Sequence, residues 1–130
     1  MGLFSGLFGN STNENKEEEA FPWIELTELD QLEQIKEKSK TKTQLIFKHS
    51  TSCGISRMVI RSFKDSFDLP IEDADVYYLD LLRYREVSNE VGYKFQVMHQ
   101  SPQLLIIKNG NAVANASHGS INDMNISEFI

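Results

Sequence analysis

Short apolar runs alternate with amphipathic segments along this chain, and this alternation limits the folds that the chain can adopt. Residues 44–49 and 76–80 are apolar runs too short for helices, so each predicts a buried strand. Leu29, Leu32 and Ile35 recur at helical spacing before the first run and predict a helix there. Strands separated by helices pair in parallel through right-handed crossovers, so the sequence predicts an α/β protein.

The C-terminal part of the chain predicts a β-hairpin. Residues 103–108 form another apolar strand, Asn109-Gly110 is the strongest short hairpin signal that a sequence offers, and residues 111–116 form the returning strand. A short edge strand at residues 22–26 precedes the first helix. The expected architecture is a central mixed sheet with helices on both faces and a C-terminal β-hairpin.

Particular residues predict the ends and faces of the helices. Thr27 is the expected N-cap of the first helix, because an acidic residue follows three positions later. Gly92 is in the position of a C-terminal cap for the third helix, and residues 121–130 predict a short final helix. The second helix begins at or just after Cys53, and its apolar face is predicted to contain Ile55, Val59, Phe63 and Phe67, with Met58 beside them.

Length and charge exclude several classes of function. The chain has 130 residues, enough for one domain, and a net charge of −6 at pH 7. Nucleic acids and anionic membranes are therefore not expected as partners, because both are bound through clustered Lys and Arg. No apolar run reaches the length of a membrane span. We expect residues 1–20 to be a flexible N-terminal leader, residues 21–130 to form the domain, and the protein to be a monomer.

Cys53 is the single cysteine of the chain, which excludes an internal disulfide and argues against a structural zinc site. An unpaired thiol suits a reducing compartment, so we expect a cytoplasmic protein. Cys53 lies where a strand leads into a helix, and the free N–H groups there stabilise a thiolate. The alternative is a buried, inert cysteine, but its neighbours Ser52, Gly54 and Ser56 are not typical of a core.

Ser56 occupies the position three residues after Cys53. A second cysteine at this position would attack a mixed disulfide on Cys53, whereas a serine hydroxyl is far too weakly acidic to displace a sulfur. Ser56 either donates a hydrogen bond to the Cys53 thiolate or is an ordinary residue of the first helical turn. A protein with one thiol can take over a disulfide partner, but an external thiol must then remove it.

Two histidines and a proline turn complete the candidate site. Ser101-Pro102 leads directly into the apolar strand, which is typical of a tight turn in which a cis peptide bond can occur. His99 either lines the same groove or is a solvated loop residue. His49 ends the strand before Cys53, and it either stabilises the thiolate as a cation or lies on the surface of the loop.

These motifs together resemble the thioredoxin superfamily across residues 21–130. The resemblance implies a thioredoxin-like fold in which Pro102 is cis and packs beside the active-site sulfur, and in which Ser101 offers its backbone to the substrate. More narrowly, the chain resembles the YtxJ-like monothiol bacilliredoxins. The family's usual motif is Cys-Pro-Ile-Ser, and Gly54 replaces its proline here. The stretches that carry this resemblance are His49-Ser50-Thr51-Ser52-Cys53-Gly54-Ile55-Ser56, His99-Gln100-Ser101-Pro102-Gln103 and Ala116-Ser117-His118.

The resemblance implies that Cys53 removes bacillithiol, a bacterial low-molecular-weight thiol, from protein mixed disulfides. The partners would be S-thiolated client proteins and bacillithiol as co-substrate, with no bound cofactor and no metal.

Two alternatives remain. The Cys-Gly-x-Ser motif also resembles monothiol glutaredoxins, which hold a [2Fe–2S] cluster between two subunits with glutathione. Against this resemblance, Ile55 stands where those proteins have Phe, and Ser117-His118-Gly119-Ser120 replaces their Gly-Gly-x-x-Asp stretch. The third alternative is a non-catalytic thioredoxin-like stress or binding module.

Overall fold

The computed structural model of the chain describes residues 21–130, so the leader predicted for residues 1–20 lies outside the described residues. Five strands, three α-helices and two short 3₁₀ helices follow one another along the described part of the chain. In order they are β1 (Trp23–Glu25), α1 (Asp30–Lys38), β2 (Thr43–His49), α2 (Gly54–Ser66), β3 (Ala74–Asp80), α3 (Arg85–Phe95), β4 (Gln103–Lys108), β5 (Asn111–Ser117) and the 3₁₀ helices His118–Asp123 and Ile126–Phe129.

The five strands form one mixed sheet in the order β1-β3-β2-β4-β5. Strand β3 pairs in parallel with β1 and β2, and β4 pairs antiparallel with β2 and β5. Parallel strands need a crossover connection: α2 joins the neighbours β2 and β3, and α1 joins β1 to β2 across β3. The central strand β2 is buried along its whole length. The predicted α/β fold with a mixed sheet is therefore confirmed.

Apolar clusters cover both faces of the sheet, as expected. Helices α1 and α3 pack on one face through side chains that include Ile35 and Val91. Helix α2 packs on the opposite face through Val59 and Phe63, and the 3₁₀ helix His118–Asp123 adds Ile121 there. Burial of these side chains is the main force that holds the helices against the sheet.

The hairpin turn between β4 and β5 forms where the sequence predicts it. Asn109 has a φ of 52° and Gly110 a φ of 81°, so both central residues are in the left-handed region. Such a turn matches the twist of the two strands that it joins, and Asn-Gly adopts it at low cost. A register shift between Ile106 and Ile107 adds a β-bulge to the pairing with the edge strand β5.

The first helix does not begin at a threonine cap. Helix α1 starts at Asp30, and Leu29 precedes it without a side-chain capping bond. The backbone N–H groups of Thr27 and Glu28 instead donate to Oε1 of Gln31, at 2.8 and 3.0 Å. The side chain of Gln31, within the helix, therefore accepts two backbone N–H groups that precede α1. Because the N-cap position falls on Leu29, the prediction of a Thr27 cap is wrong.

Two other predicted helix ends also differ from the structure. Gly92 lies inside α3, which continues to Phe95, and Gln96 is the C-cap with a φ of 56°. The backbone N–H of Gln96 donates to the carbonyl of Gly92, so one more turn follows the glycine. Residues 121–130 form parts of two 3₁₀ helices rather than one helix.

Three apolar residues predicted on buried helix faces are exposed. Ile55 and Met58, in the first turns of α2, are 60% and 71% exposed, and Leu29 is 41% exposed before α1. The buried face of α2 consists of Ser56, Val59, Ile60 and Phe63. Apolar spacing alone does not separate these sets, because the face of α2 that packs on the sheet includes the polar Ser56, and Ile55 and Met58 lie to one side of that face.

Candidate active site

Cys53 is the N-cap residue of α2. Its φ of −105° and ψ of 124° are extended, and the helix begins at the next residue. The backbone N–H of Cys53 donates to the Ser50 carbonyl at 3.2 Å, and its own carbonyl accepts the first helical bond from the N–H of Arg57 at 3.1 Å. The side chain is partly exposed. The thiol is thus accessible at a helix end where unpaired N–H groups favour negative charge.

Ser56 is fully buried beneath the turn that holds Cys53. Its Oγ accepts the backbone N–H of Ser50 at 3.1 Å and lies 2.8 Å from Nδ1 of His49. Within residues 21–130, these two groups are the hydrogen-bond partners of the hydroxyl. Ser56 therefore ties the end of β2 to the first turn of α2, and this geometry does not direct it at the Cys53 thiol.

His49 is buried at the end of β2, so its interpretation as a surface loop residue is wrong. Its ring lies 5.6 Å from that of Tyr78. Burial lowers the pKa of His49 below its ordinary value; Asp80 opposes this shift, and the charges of Arg57 and Lys64 add to it. The lowered pKa favours the neutral imidazole, whose Nδ1 contacts the Ser56 hydroxyl.

The Ser101-Pro102 turn lies at the same edge of the sheet as the end of β2. Strand β4 begins at Gln103 and runs antiparallel to β2, with Gln103 paired to Lys48. The residues just before β4 are therefore neighbours of those just after β2. The Ser101-Pro102 peptide bond is cis, as the resemblance implied.

The loop that precedes this turn is held by a buried side chain. Gln103 is 1% exposed, and its Nε2 donates to the carbonyl of Met98 at 3.0 Å. Its Oε1 accepts the backbone N–H of Gln100 at 3.4 Å. One amide group thus connects two positions of the loop to the first residue of β4.

The buried Lys48 contacts the same loop from the interior of the protein. Lys48 is completely buried, and its Nζ lies 3.2 Å from both the Ser88 carbonyl and Nδ1 of His99. Burial lowers the pKa of Lys48 to about 8. Burial, the Lys48 charge and Arg85 all lower the pKa of His99. The neutral imidazole of His99 can therefore accept a hydrogen bond from the ammonium group, while its outer side stays exposed.

The sequence motifs did not predict Lys48, Gln103 and Arg57 as residues of the site or of its immediate support. Lys48 interrupts the apolar run of β2 one residue before its end, and a charged residue there was a readable signal. Arg57 follows Cys53 by four residues, the spacing that places two residues on one side of a helix. No pattern in the sequence distinguishes Gln103 from an ordinary strand residue, because its role depends on contacts with the loop.

Within residues 21–130, no three His, Cys, Asp or Glu side chains are grouped closely enough to hold a metal ion. No helix in that part of the chain is both long and apolar enough to cross a membrane.

An accessible cysteine at the start of a helix, with a cis-proline turn on the adjoining strand, is the arrangement of a thioredoxin-fold redox protein. The chain belongs to the monothiol bacilliredoxin BrxC family, whose family model matches residues 24–126. Its chemistry is accordingly that of a thiol redox protein.

Solved structures share the same fold. One, described as having a thioredoxin fold and assigned as an oxidoreductase, is 33% identical, with a TM-score of 0.68 over 82% of this chain and 92% of that chain. A thioredoxin of Malassezia sympodialis is 20% identical, with a TM-score of 0.63 over 79% and 84% of the two chains. A thioredoxin of Schistosoma mansoni is 23% identical, with a TM-score of 0.62 over 83% and 95%.

Proposed function

We propose that this protein is a monothiol thiol–disulfide oxidoreductase that removes bacillithiol from protein mixed disulfides through Cys53. The observation that carries the proposal is the position of Cys53, partly exposed at the N-cap of α2, at the edge of the sheet where the Ser101-Pro102 turn also lies. Membership of the monothiol bacilliredoxin family supports bacillithiol as the co-substrate. The clients would be S-thiolated proteins in the cytoplasm.

The proposed reaction exchanges one disulfide for another. The Cys53 thiolate attacks the bacillithiol sulfur of the mixed disulfide, a Cys53–bacillithiol disulfide forms, and the client thiolate leaves and takes a proton from water. A second bacillithiol then attacks the adduct, which restores Cys53 and yields bacillithiol disulfide. Ser56 cannot perform this second step, because its hydroxyl is not a thiol and is already hydrogen bonded in the interior.

The apolar surface around Cys53 supports a protein as the client. Ile55, Met58 and Met98 are exposed on α2 and on the loop before the cis-proline turn. Exposed apolar side chains grouped beside a reactive residue are typical of a surface that contacts another protein. The Ser101 backbone, at the same edge of the sheet as Cys53, would hydrogen bond to the client chain.

The first experiment is intact-mass spectrometry of the reduced protein mixed with a bacillithiolated client. We expect wild type to gain one bacillithiol while the client loses one, and Cys53→Ala to gain none. A glutathionylated form of the same client, run in parallel, compares the two thiols directly.

Two outcomes would contradict the proposal. Faster transfer of glutathione than of bacillithiol would show that the co-substrate is wrong. Transfer of neither would remove the enzymatic role, and anaerobic reconstitution with iron and sulfide would then test the [2Fe–2S] alternative, with visible absorbance as the readout.

A further inference from the structure

The arginines of this chain are concentrated near the thiol. All four occur in two segments, with Arg57 and Arg61 in α2 and Arg83 and Arg85 where β3 leads into α3. Both helices begin at the edge of the sheet at which Cys53 lies. In a chain of net charge −6, the arginines therefore occur in the two segments that begin at the edge carrying the nucleophile, and Arg57 is the one closest in sequence to Cys53.

Arg57 is the arginine that lies against the cysteine turn. Its Nη1 donates to the carbonyl of Thr51 at 3.3 Å, and a Cβ added at Gly54 would lie 3.8 Å from its Nη2. These contacts place the guanidinium over the turn from Thr51 to Gly54, which contains Cys53. The positive charge of Arg57 also acts on the buried His49, because it contributes to the lowered pKa of that residue.

Arg57 has no carboxylate partner within residues 21–130, where the ion pairs involve lysines alone. The nearby carboxylate of Asp80 accepts the backbone N–H groups of Leu82 and Arg83 through its Oδ1. Since the guanidinium has five N–H donors and one of them reaches Thr51, the others are available on an exposed side chain.

We propose that Arg57 is a specificity-determining residue that binds a carboxylate of the low-molecular-weight thiol held by Cys53. This inference rests on the proposed function and names the chemical class of its co-substrate, an anionic thiol. A planar guanidinium matches a carboxylate geometrically. Arg57 takes no part in bond making: Cys53 forms the new disulfide, the leaving thiolate departs, and Arg57 holds the charged end of the transferred thiol.

The test uses three symmetrical disulfides that differ in charge: 3,3′-dithiodipropionate with two carboxylates, the neutral bis(2-hydroxyethyl) disulfide, and cystamine with two ammonium groups. The rate of adduct formation on Cys53 is measured for the full-length wild type, Arg57→Gln and Arg61→Gln. For each disulfide, the rate for wild type is divided by the rate for the variant. This ratio cancels the differences in reactivity between the three leaving thiols. Arg61→Gln is the matched control, with the same charge change one helical turn further from Cys53.

For Arg57→Gln, we expect the ratio of the wild-type rate to the variant rate to be about two- to fivefold larger with the dicarboxylate than with the neutral disulfide. This size is in keeping with an exposed ion pair. The rate with cystamine should change in the opposite direction, and added salt should reduce both differences. A change in Cys53 reactivity itself would alter all three ratios equally.

Equal ratios for the three disulfides, or the same pattern in Arg61→Gln, would overturn the role of Arg57 and leave the proposed function intact. A wild type that forms no adduct with any of the three would instead overturn the proposed function, and this inference with it. The two failures are therefore distinguishable.

Discussion

Ser56 illustrates how a hydroxyl one turn after the reactive cysteine can have a structural role. It is buried and bonded to the Ser50 N–H and to His49 Nδ1. Ser56→Ala should lower the free energy of unfolding by about 1–3 kcal/mol, because both partners would stay buried without a hydrogen bond. Urea unfolding at pH 7 measures this loss.

Ser62→Ala is the matched control, since Ser62 is exposed on the same helix. It should change stability by less than about 0.5 kcal/mol. If both variants lost equal amounts, the hydrogen bonds of Ser56 would contribute nothing specific.

Lys48 predicts a pH dependence of stability. Its folded-state pKa of about 8 is below its ordinary value of 10.5. Between these two values the unfolded chain holds a proton that the folded chain has released, so this group makes stability rise as pH increases from about 8 towards 10.5. Below pH 8 both states are protonated, and the contribution is constant.

The measurement compares wild type with Lys48→Met by urea unfolding at pH 7 and pH 9.5. The difference in unfolding free energy between the proteins should shift in favour of wild type at the higher pH. Lys38→Met, the same charge change at an exposed helix position, should show no such shift. A constant difference for Lys48→Met would mean that Lys48 has an ordinary pKa in the folded protein.

At the scale of the element, the first residue of α2, Gly54, is in a position that can accommodate a proline. Gly54 is the first helical residue, where the N–H has no intrahelical acceptor and proline is favoured. Cys53 already has the extended conformation that a following proline requires. The nearest atom to a Cβ at Gly54 is Arg57 Nη2 at 3.8 Å, which is an ordinary contact.

Gly54→Pro should therefore stabilise the protein by about 0.4–1 kcal/mol, because the unfolded chain loses freedom while the folded chain is unstrained. Thermal unfolding measures the gain. Gly54→Ala separates the removal of glycine from the effect of the proline ring. A lower melting temperature for Gly54→Pro would show that the turn around Cys53 needs the freedom of glycine.

The same helix shows where periodicity fails as a guide. Val59 and Phe63 are buried as predicted, but Ile55 and Met58 are exposed. The apolar spacing identifies the helix because these four residues recur at intervals of three and four. The orientation of α2 on the sheet decides which of those residues are covered, and it buries the polar Ser56 in place of Ile55 and Met58.

At the scale of the whole molecule, we expect the full-length chain to be a monomer. Its net charge of −6 opposes self-association, and the proposed exchange reaction needs one thiol and one chain. Sedimentation velocity over a wide range of protein concentration should give the mass of a single chain. A stable dimer would contradict this expectation and would favour the cluster-bridging alternative, which requires two subunits.

The sequence by itself determined the α/β fold, the hairpin turn and the position of Cys53 at the start of a helix. These features depend on local periodicity, turn chemistry and a motif that neighbouring residues carry. Only the tertiary structure decided that His49 is buried with a lowered pKa, that Ser56 faces inward, and that Lys48 and Gln103 contact the loop before the cis-proline turn. Those properties depend on contacts between strands β2 and β4 and helices α2 and α3, which are distant in the chain, and burial acts on them only after the sheet has formed.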